Sequence, residues 1–340
     1  MLLTLTLLLA CTKNGKVDTA VVAAAGCAGC SDEALQTVAD VPLPGDSVRF
    51  DYQDLDAESG RLVIAHMNDD AVVVVDLNTR EVLANVEGVP TARGVAVAPE
   101  ADRYLVTSSP DQVVSIDAGS LTVVDTFTVG RSPDGLAWDP DHEVIGVSDQ
   151  GAGALSLLAE AGAGENSEVS LGDATGNVRY DPSRGWFWIT VEQRGADDQL
   201  IAVDPTSGAQ EASFDLPGCD AAHGLLLHPD AASAFVACED NDVLARVDLS
   251  TGELSTGETG RGPDVLSLDA GRGWLYVAAE SGTLTVFDLN ATGVSRLYRQ
   301  SLDGSAHTVQ VDPSTGLVYL PLEEGADGAP VLRIMQPVAR

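Results

Sequence analysis

Residues 224–258 read GLLLHPDAASAFVACEDNDVLARVDLSTGELSTGE. Three short apolar runs, at residues 224–229, 234–238 and 243–249, are separated by turn-forming residues, and residues 253–258 form a polar fourth run. Runs of this length, rich in Leu, Val and Phe and bounded by Gly, Pro, Asp and Asn, are typical of β-strands joined by tight turns. This stretch therefore predicts one sheet of four short antiparallel strands.

The same pattern occurs seven times after residue 50. The copies begin near Tyr52, Gly94, Gly135, Asn177, Gly224, Val265 and Thr308. Successive copies start about 40 to 47 residues apart, which is the spacing of four-stranded propeller blades. A four-stranded sheet cannot bury both of its faces alone, so such sheets stack radially on one another. The sequence therefore predicts an all-β fold, a seven-bladed β-propeller of four-stranded antiparallel blades.

The two ends of the predicted propeller complement each other. The last copy contains only three strands, at residues 308–311, 317–322 and 330–335, whereas residues 35–44 resemble the outer strands of other copies. If this N-terminal strand completes the last blade, the ring is closed and that sheet has no exposed edge. We expect a single propeller domain over residues 35–340.

The composition is strongly acidic. The 340-residue chain has a formal net charge of -34, and its only lysines, Lys13 and Lys16, precede the propeller. Nucleic acid is not an expected partner, because binding of phosphates needs clustered Lys and Arg side chains. The charge favours a soluble monomer. After residue 11 no apolar run is long enough to predict a membrane-spanning helix.

The first residues predict export. Leu8-Leu9-Ala10-Cys11 resembles the lipobox of bacterial lipoproteins, in which the leader is removed and the new N-terminal cysteine is lipidated. We expect residues 1–10 to be a lipoprotein-type signal peptide, Cys11 to carry the lipid, and residues 11–34 to be a flexible tether. The alternative is a generic signal peptide in which Cys11 has no role. Both interpretations place the protein outside the cytoplasm, and lipidation places it at the bacterial outer membrane or in the periplasm.

The other four cysteines form two candidate pairs. Cys219 lies just before the inner strand of the fifth copy and Cys238 ends its second strand, so both fall at the same end of an antiparallel sheet. We predict a disulfide between them, which suits an oxidising compartment. Cys27 and Cys30 have Cys-x-x-Cys spacing, which is compatible with a disulfide in the tether, a redox pair or half of a metal site.

Several motifs resemble those of one known group of propellers. They are Pro133-Asp134-Gly135, Leu275-Tyr276-Val277-Ala278, Leu284-Thr285-Val286-Phe287-Asp288 and the run AHTVQVDP at residues 306–313. With these motifs, residues 36–340 resemble the YVTN-repeat, YncE-like bacterial β-propellers. The resemblance implies the seven-bladed fold but no particular activity, because proteins with diverse functions share this scaffold.

The repeats bring polar residues to one mouth of the predicted central channel. At the start of each inner strand the copies supply Asp51, Arg93, Asp134, Gly176, His223, Asp264 and His307. Just after the second strands they supply Met67, Ser109, Asp149, Glu192, Glu239, Glu280 and Glu323. In a propeller these two sets of positions gather at the same end of the channel. The six polar residues of the first set are the ligand-binding candidates.

One interpretation of this mouth is a divalent cation site. The candidate metal ligands are His223, His307, Glu239, Glu280 and Glu323, with Asp264 as a further carboxylate. Imidazole and carboxylate groups suit a borderline divalent cation, and a metal-bound water would hydrolyse an ester or lactone. This interpretation predicts a lactonase-like, metal-dependent hydrolase.

Two other interpretations need no metal. Arg93 would pair with Asp51 and Asp134 and tie adjacent blades together, or the polar residues would line a water-filled channel. The sequence contains none of the ordered catalytic motifs, such as Gly-x-Ser-x-Gly or His-Glu-x-x-His. We therefore expect a non-catalytic binding or scaffolding module at the cell envelope, with an envelope protein or a small ligand as its partner.

Overall fold

Each repeat folds into one antiparallel sheet of four strands in the computed structural model, which describes residues 35–159, 166–289, 294–302 and 306–338. Strands that follow one another within a repeat are neighbours in its sheet. The prediction of an all-β fold with seven four-stranded blades is confirmed.

The strands are numbered in chain order, and each blade is given from the channel outward. The N-terminal strand is β1 (Leu35–Pro42). Blade 1 is β2 (Gln53–Asp56), β3 (Arg61–His66), β4 (Ala71–Asp76) and β5 (Glu81–Glu87). Blade 2 is β6 (Val95–Ala98), β7 (Arg103–Ser108), β8 (Gln112–Asp117) and β9 (Thr122–Thr128). Blade 3 is β10 (Pro133–Asp139), β11 (Val144–Asp149), β12 (Ala154–Ala159) and β13 (Ser167–Ser170).

The remaining four blades follow the same order. Blade 4 is β14 (Ala174–Asp181), β15 (Trp186–Glu192), β16 (Gln199–Val203) and β17 (Gln210–Asp215). Blade 5 is β18 (Ala222–Leu227), β19 (Ser233–Cys238), β20 (Val243–Asp248) and β21 (Leu254–Glu258). Blade 6 is β22 (Pro263–Asp269), β23 (Trp274–Ala279), β24 (Thr283–Asp288) and β25 (Ser295–Ser301). Blade 7 is β26 (Gln310–Val311), β27 (Val318–Leu322), β28 (Val331–Pro337) and β1.

The core is divided into layers between neighbouring blades. Each inner strand contacts the inner strand of the next blade, and β26 contacts β2, which closes the ring. Seven clusters of buried apolar side chains each combine residues of two consecutive blades. Between blades 4 and 5, for example, Trp188 and Leu200 pack with Leu225 and Val236. The apolar alternation of the repeats therefore buries both faces of every blade, which is what stabilises the ring.

The N-terminal strand closes the last blade as predicted. β1 pairs with β28 in antiparallel register, with Leu35 opposite Pro337 and Pro42 opposite Val331. Asp40 lies opposite Arg333, and the guanidinium donates from Nε to Oδ1 at 2.9 Å and from Nη2 to Oδ2 at 2.8 Å. This two-point ion pair fixes the register of a strand that is nearly three hundred residues away in the chain.

Asp40→Ala is therefore expected to lower the free energy of unfolding by about 1 kcal/mol, because it removes a two-point ion pair that is partly shielded from water. Chemical denaturation measures this change. Asp125→Ala is the matched control, since Asp125 lies on the outer strand β9 opposite Ser115 rather than an arginine. Equal effects of the two substitutions would show that the β1–β28 ion pair contributes nothing.

Part of the negative charge of the chain is structural. At the ends of the third strands, Asp248 accepts hydrogen bonds from the backbone N–H groups of Ser250 and Thr251, at 2.8 and 2.9 Å. The Ser250 hydroxyl and these N–H groups lower the pKa of Asp248 to about 2. Asp204 makes the equivalent turn in blade 4, and its pKa is also lowered to about 2. Ionised aspartates thus stabilise the turns between strands, which is one reason for the acidity of the repeat.

The predicted disulfide is confirmed. Cys219 and Cys238 are bonded, with their Cα atoms 5.1 Å apart. The bond joins the segment before β18 to the end of β19, in the buried layer between blades 4 and 5. A disulfide indicates an oxidising compartment outside the cytoplasm.

The predicted signal peptide, the lipidation of Cys11 and the tether with Cys27 and Cys30 lie outside the described residues. These assignments stay predictions. Within the residues that the structure describes, no helix is long and apolar enough to cross a membrane.

Candidate functional site

The polar residues of the mouth lie where the inner strands are irregular. In blades 3, 5 and 6 the register between inner and second strand shifts across Asp134, His223 and Asp264. In blade 1 the backbone N–H of Asp51 donates to the carbonyl oxygen of Ala65, and the N–H of Ala65 donates to the carbonyl oxygen of Tyr52. Bulges of this kind re-aim the side chains that they contain. A bulge at the same position of these repeats therefore directs their polar side chains to one end of the channel.

Glycines beside these residues let neighbouring blades approach closely. A Cβ atom on Gly224 would lie 1.7 Å from the carbonyl oxygen of Asp264, and one on Gly94 would lie 2.2 Å from that of Asp134. Only glycine fits against backbone at these distances. Gly224 lies against the backbone of Asp264. The preceding residue, His223, therefore lies close to the side-chain carboxylate of Asp264.

The first residues of the inner strands line a cavity of about 230 Å³ that is open to solvent at the mouth. Five of the six ligand-binding candidates line it, namely Asp51, Arg93, Asp134, His223 and Asp264. Arg49, Met67, Gln150, Glu239 and Glu280 complete its lining among the described residues. The sixth candidate, His307, is buried beside the cavity and pairs with Asp51. Glu323 is not among the described residues that line this cavity.

His223 lies between two buried carboxylates. Its Nε2 is 3.3 Å from Oδ2 of Asp134 and 3.8 Å from Oδ1 of Asp264. Burial alone would lower the pKa of this imidazole, but the close, charged carboxylate of Asp134, with the charges of Asp264 and Glu239, raises the pKa to about 10. His223 is therefore an imidazolium at neutral pH, fixed by its neighbours.

Asp264 has a second partner on the other side. The hydroxyl of Tyr52 donates to Oδ1 of Asp264 at 2.9 Å. Burial raises the pKa of Asp264, while the charges of His223 and His307 oppose this effect. Burial and the charge of Asp264 also raise the pKa of Tyr52, so its hydroxyl stays protonated and keeps donating.

Among the described residues, Asp51, Asp264 and His307 are the one group of three or more metal-type ligands that could hold a metal ion. One ligand atom of each lies within 4.8 Å of the other two. His307 Nε2 is 3.5 Å from Oδ1 of Asp51, and this close carboxylate raises the pKa of His307 although burial would lower it. A metal ion would have to compete with a proton for His307. The cluster in its present form is a buried histidine–aspartate pair with a neighbouring carboxylate.

Two arginines complete the network of charges. Arg93 Nη1 is 3.7 Å from Oδ1 of Asp134, whereas Asp51, the other partner suggested by the sequence, pairs with His307 instead. Arg49 Nη1 is 2.8 Å from Oε1 of Glu280. The sequence did not single out Arg49. It lies two residues before Asp51, and side chains two apart in an extended chain point to the same side, which is the signal that would have found it.

The mouth offers charged hydrogen-bonding groups rather than a nucleophile. No serine, threonine or cysteine side chain lines the cavity within the part of the chain that the structure describes. His223 holds a proton, so its imidazole is not a general base at neutral pH, and the pKa of His307 is raised in the same direction. Glu239 is half-buried, and burial raises its pKa. This chemistry suits recognition of a charged group.

Comparisons with known proteins identify the fold. A chain of the Kuenenia stuttgartiensis hydrazine synthase has a TM-score of 0.71 and 16% sequence identity, covering 83% of this chain and 94% of that one. A chain from a crystal structure of the mitotic checkpoint complex has a TM-score of 0.74 and 12% identity, covering 96% of this chain and 100% of that one. No protein-family model and no curated protein matches the sequence. At such identities the similarity shows the fold alone.

Fold and mouth together define a seven-bladed β-propeller with a charge-paired opening at one end of its channel. Propellers often serve as binding or scaffolding modules. The comparisons support the seven-bladed fold, and the resemblance to the YVTN-repeat propellers stays a prediction.

Proposed function

We propose that this protein is an extracytoplasmic propeller, anchored through a lipid on Cys11, that acts as a non-catalytic binding module at the cell envelope, with the polar mouth as its binding surface. The observation that carries the proposal is the protonated His223 between Asp134 and Asp264. Since its pKa is about 10, removing its proton at pH 7 costs about 4 kcal/mol. The imidazolium is therefore a fixed charge of the mouth, paired with Asp134 and Asp264, rather than a base.

The charge of the mouth favours a cationic partner group. Five carboxylates face two arginines, the protonated His223 and His307, so at least one negative charge is left over even when His307 is also protonated. The side chain of Glu280 is 38% exposed, and Glu239 is half-buried beside it. A partner ammonium or guanidinium at this point would compensate the charge of Glu239, which burial penalises. The partner is an envelope protein or a small ligand that presents such a group.

Glu239→Gln is expected to weaken capture of this partner by about 10-fold or more, because a charge-assisted hydrogen bond is replaced by a neutral one. The lipidated, tagged protein would be cross-linked in envelope extract, and its partners identified by mass spectrometry. Native mass spectrometry of the purified protein would detect small ligands that remain bound to it. Glu253→Gln, at an acidic residue of the exposed turn before β21, is the matched control and leaves capture unchanged.

Two results would contradict the proposal. The first is recovery of the same partners and ligands by the wild type and Glu239→Gln. The second is a stoichiometric divalent metal in the purified protein that is lost on His307→Ala, which would instead favour the lactonase-like hydrolase at the cluster of Asp51, Asp264 and His307. A Cys11→Ser variant that remains with the membrane fraction would contradict the lipid anchor alone.

A further inference from the structure

The channel opens at its other end into a second, larger cavity of about 590 Å³. All inner strands start at the mouth, so residues further along them lie deeper in the channel. Tyr52 reaches both regions, since its hydroxyl bonds to Asp264 of the mouth and its side chain lines the second cavity. The two cavities nevertheless have no lining residue in common among the described residues, so the second cavity is separate from the mouth, and its volume suits a small organic molecule.

Arg179 is the cationic group of this cavity. It lies in β14, and Nη1 donates to Oδ1 of Asn177 at 2.8 Å and to the carbonyl oxygen of Val178 at 3.0 Å. Among the described residues, no carboxylate lies within 4.0 Å of its guanidinium and no hydrogen bond uses Nε or Nη2. Burial lowers the pKa of Arg179, which shows that its charge is poorly compensated. The donors Nε and Nη2 are free to bind a ligand.

Asp54, the carboxylate whose charge raises the pKa of Arg179, is engaged elsewhere. Its Oδ2 accepts from the backbone N–H of Val97 and its Oδ1 from that of Leu55, both at 2.8 Å. Burial raises the pKa of Asp54, and the charge of Arg179 lowers it only in part. The carboxylate therefore holds β2 against β6, and it does not form a direct ion pair with Arg179.

The walls around Arg179 are mainly apolar. At the same depth the other inner strands contribute Ala96, Ala137 and Leu226, with three polar residues, Asp54, Ser267 and Gln310. The hydroxyl oxygen of Ser267 accepts from the backbone N–H of Val311 at 2.9 Å, so its own hydrogen remains available as a donor. The second acid of the lining, Glu100, accepts from Nε1 of Trp138 at 3.2 Å, so both Asp54 and Glu100 are engaged with other groups. The guanidinium of Arg179 and the hydroxyl donor of Ser267, beside an apolar wall, are complementary to a carboxylate with a hydrocarbon body.

We propose that this second cavity binds a small organic carboxylate, with the carboxylate on Nε and Nη2 of Arg179 and the apolar body against Ala96, Ala137 and Leu226. A guanidinium presents two parallel N–H donors to the two oxygens of a carboxylate. A bound carboxylate supplies the negative charge that Arg179 lacks. This site is independent of the proposed mouth, and it selects an anion where the mouth selects a cation.

Isothermal titration of the full-length protein with benzoate and with hexanoate tests this site. We expect saturable binding of at least one of them, and weaker binding of the neutral analogues benzamide and hexanamide. Arg179→Gln is expected to weaken carboxylate binding about 10- to 100-fold, and Arg179→Lys to restore part of it. Arg296→Gln is the matched control, because Arg296 lies on the outer strand β25 and pairs with Glu258. Glu239→Gln at the mouth should leave this binding unchanged.

Leu226→Phe provides a second variant if Arg179→Gln does not fold. Leu226 is half-buried and lines the cavity, so a larger side chain there narrows the space while Arg179 remains in place. It should weaken binding of benzoate and hexanoate and leave the melting temperature close to that of the wild type. The proposal is overturned if neither carboxylate binds the wild type saturably, or if both Arg179→Gln and Leu226→Phe bind them as tightly as the wild type does.

Discussion

Replacing both Cys219 and Cys238 by alanine is expected to lower the free energy of unfolding by about 3 kcal/mol. The disulfide closes a loop across a sequence separation of 19 residues, and its loss releases conformational entropy in the unfolded chain. Both cysteines are also buried between blades 4 and 5, so the replacements leave that layer less well packed. For a domain of this size we expect a fall in melting temperature of roughly 5 to 10 °C.

Differential scanning calorimetry and chemical denaturation measure this loss. The same double replacement at Cys27 and Cys30 is the matched control, because these cysteines are predicted to lie in the tether and not in a blade. Amide exchange near His223 should also become faster, because the disulfide holds the segment that leads into β18. An unchanged melting temperature in the Cys219 and Cys238 variant would refute a stabilising role for the bond.

The architecture could be predicted because short sequence patterns that repeat in every blade determine it. The alternation of apolar residues over residues 224–258 recurs in every blade, and the pairing of β1 with β28 follows from a missing outer strand. Cys219 and Cys238 could be paired because neighbouring antiparallel strands bring their own ends together. In each case the information lies in local sequence and in the rules of sheet formation.

The electrostatics of the channel could not be predicted in the same way. The sequence placed His223 and Asp264 at one mouth, but the charge of His223 depends on burial and on a carboxylate from a blade two further back in the ring. Arg179 stands in β14 between ordinary strand residues, and only the closed ring shows that none of the described carboxylates lies within 4.0 Å of its guanidinium. Inner strand β26 is also shorter than expected, since its first predicted residues lie at the position where the inner strands of blades 3 to 6 bulge.

His223→Gln is expected to lower the free energy of unfolding by about 3 to 5 kcal/mol, because removal of one member leaves buried charges uncompensated. Asp134 and Asp264 are only 4% and 3% exposed, so water cannot replace the imidazolium. Arg93 remains near Asp134 at 3.7 Å, and Tyr52 still donates to Asp264, but neither contact supplies the lost charge between the two acids. Chemical denaturation at pH 7 measures the effect.

The pH dependence gives this prediction a second, independent readout. An unfolded histidine has a pKa of about 6.5, whereas folded His223 has a pKa of about 10. Below pH 6.5 both states are protonated, and the stabilisation is fully present. From there to pH 10 the folded state keeps a proton that the unfolded state releases, so stability falls by roughly 1.4 kcal/mol per pH unit for each such histidine. His307, whose pKa is also raised, acts in the same direction.

The wild type should therefore lose stability steadily between pH 7 and pH 9, and His223→Gln should lose it less steeply. His142→Gln is the matched control, because His142 also pairs with an aspartate but its side chain is 45% exposed, and it should cost less than about 1 kcal/mol. Adding Asp134→Asn to His223→Gln should recover stability, since the pair is removed together. Equal pH slopes in the wild type and His223→Gln would mean that His223 is neutral in the folded state, and the mouth would then have a free imidazole at neutral pH.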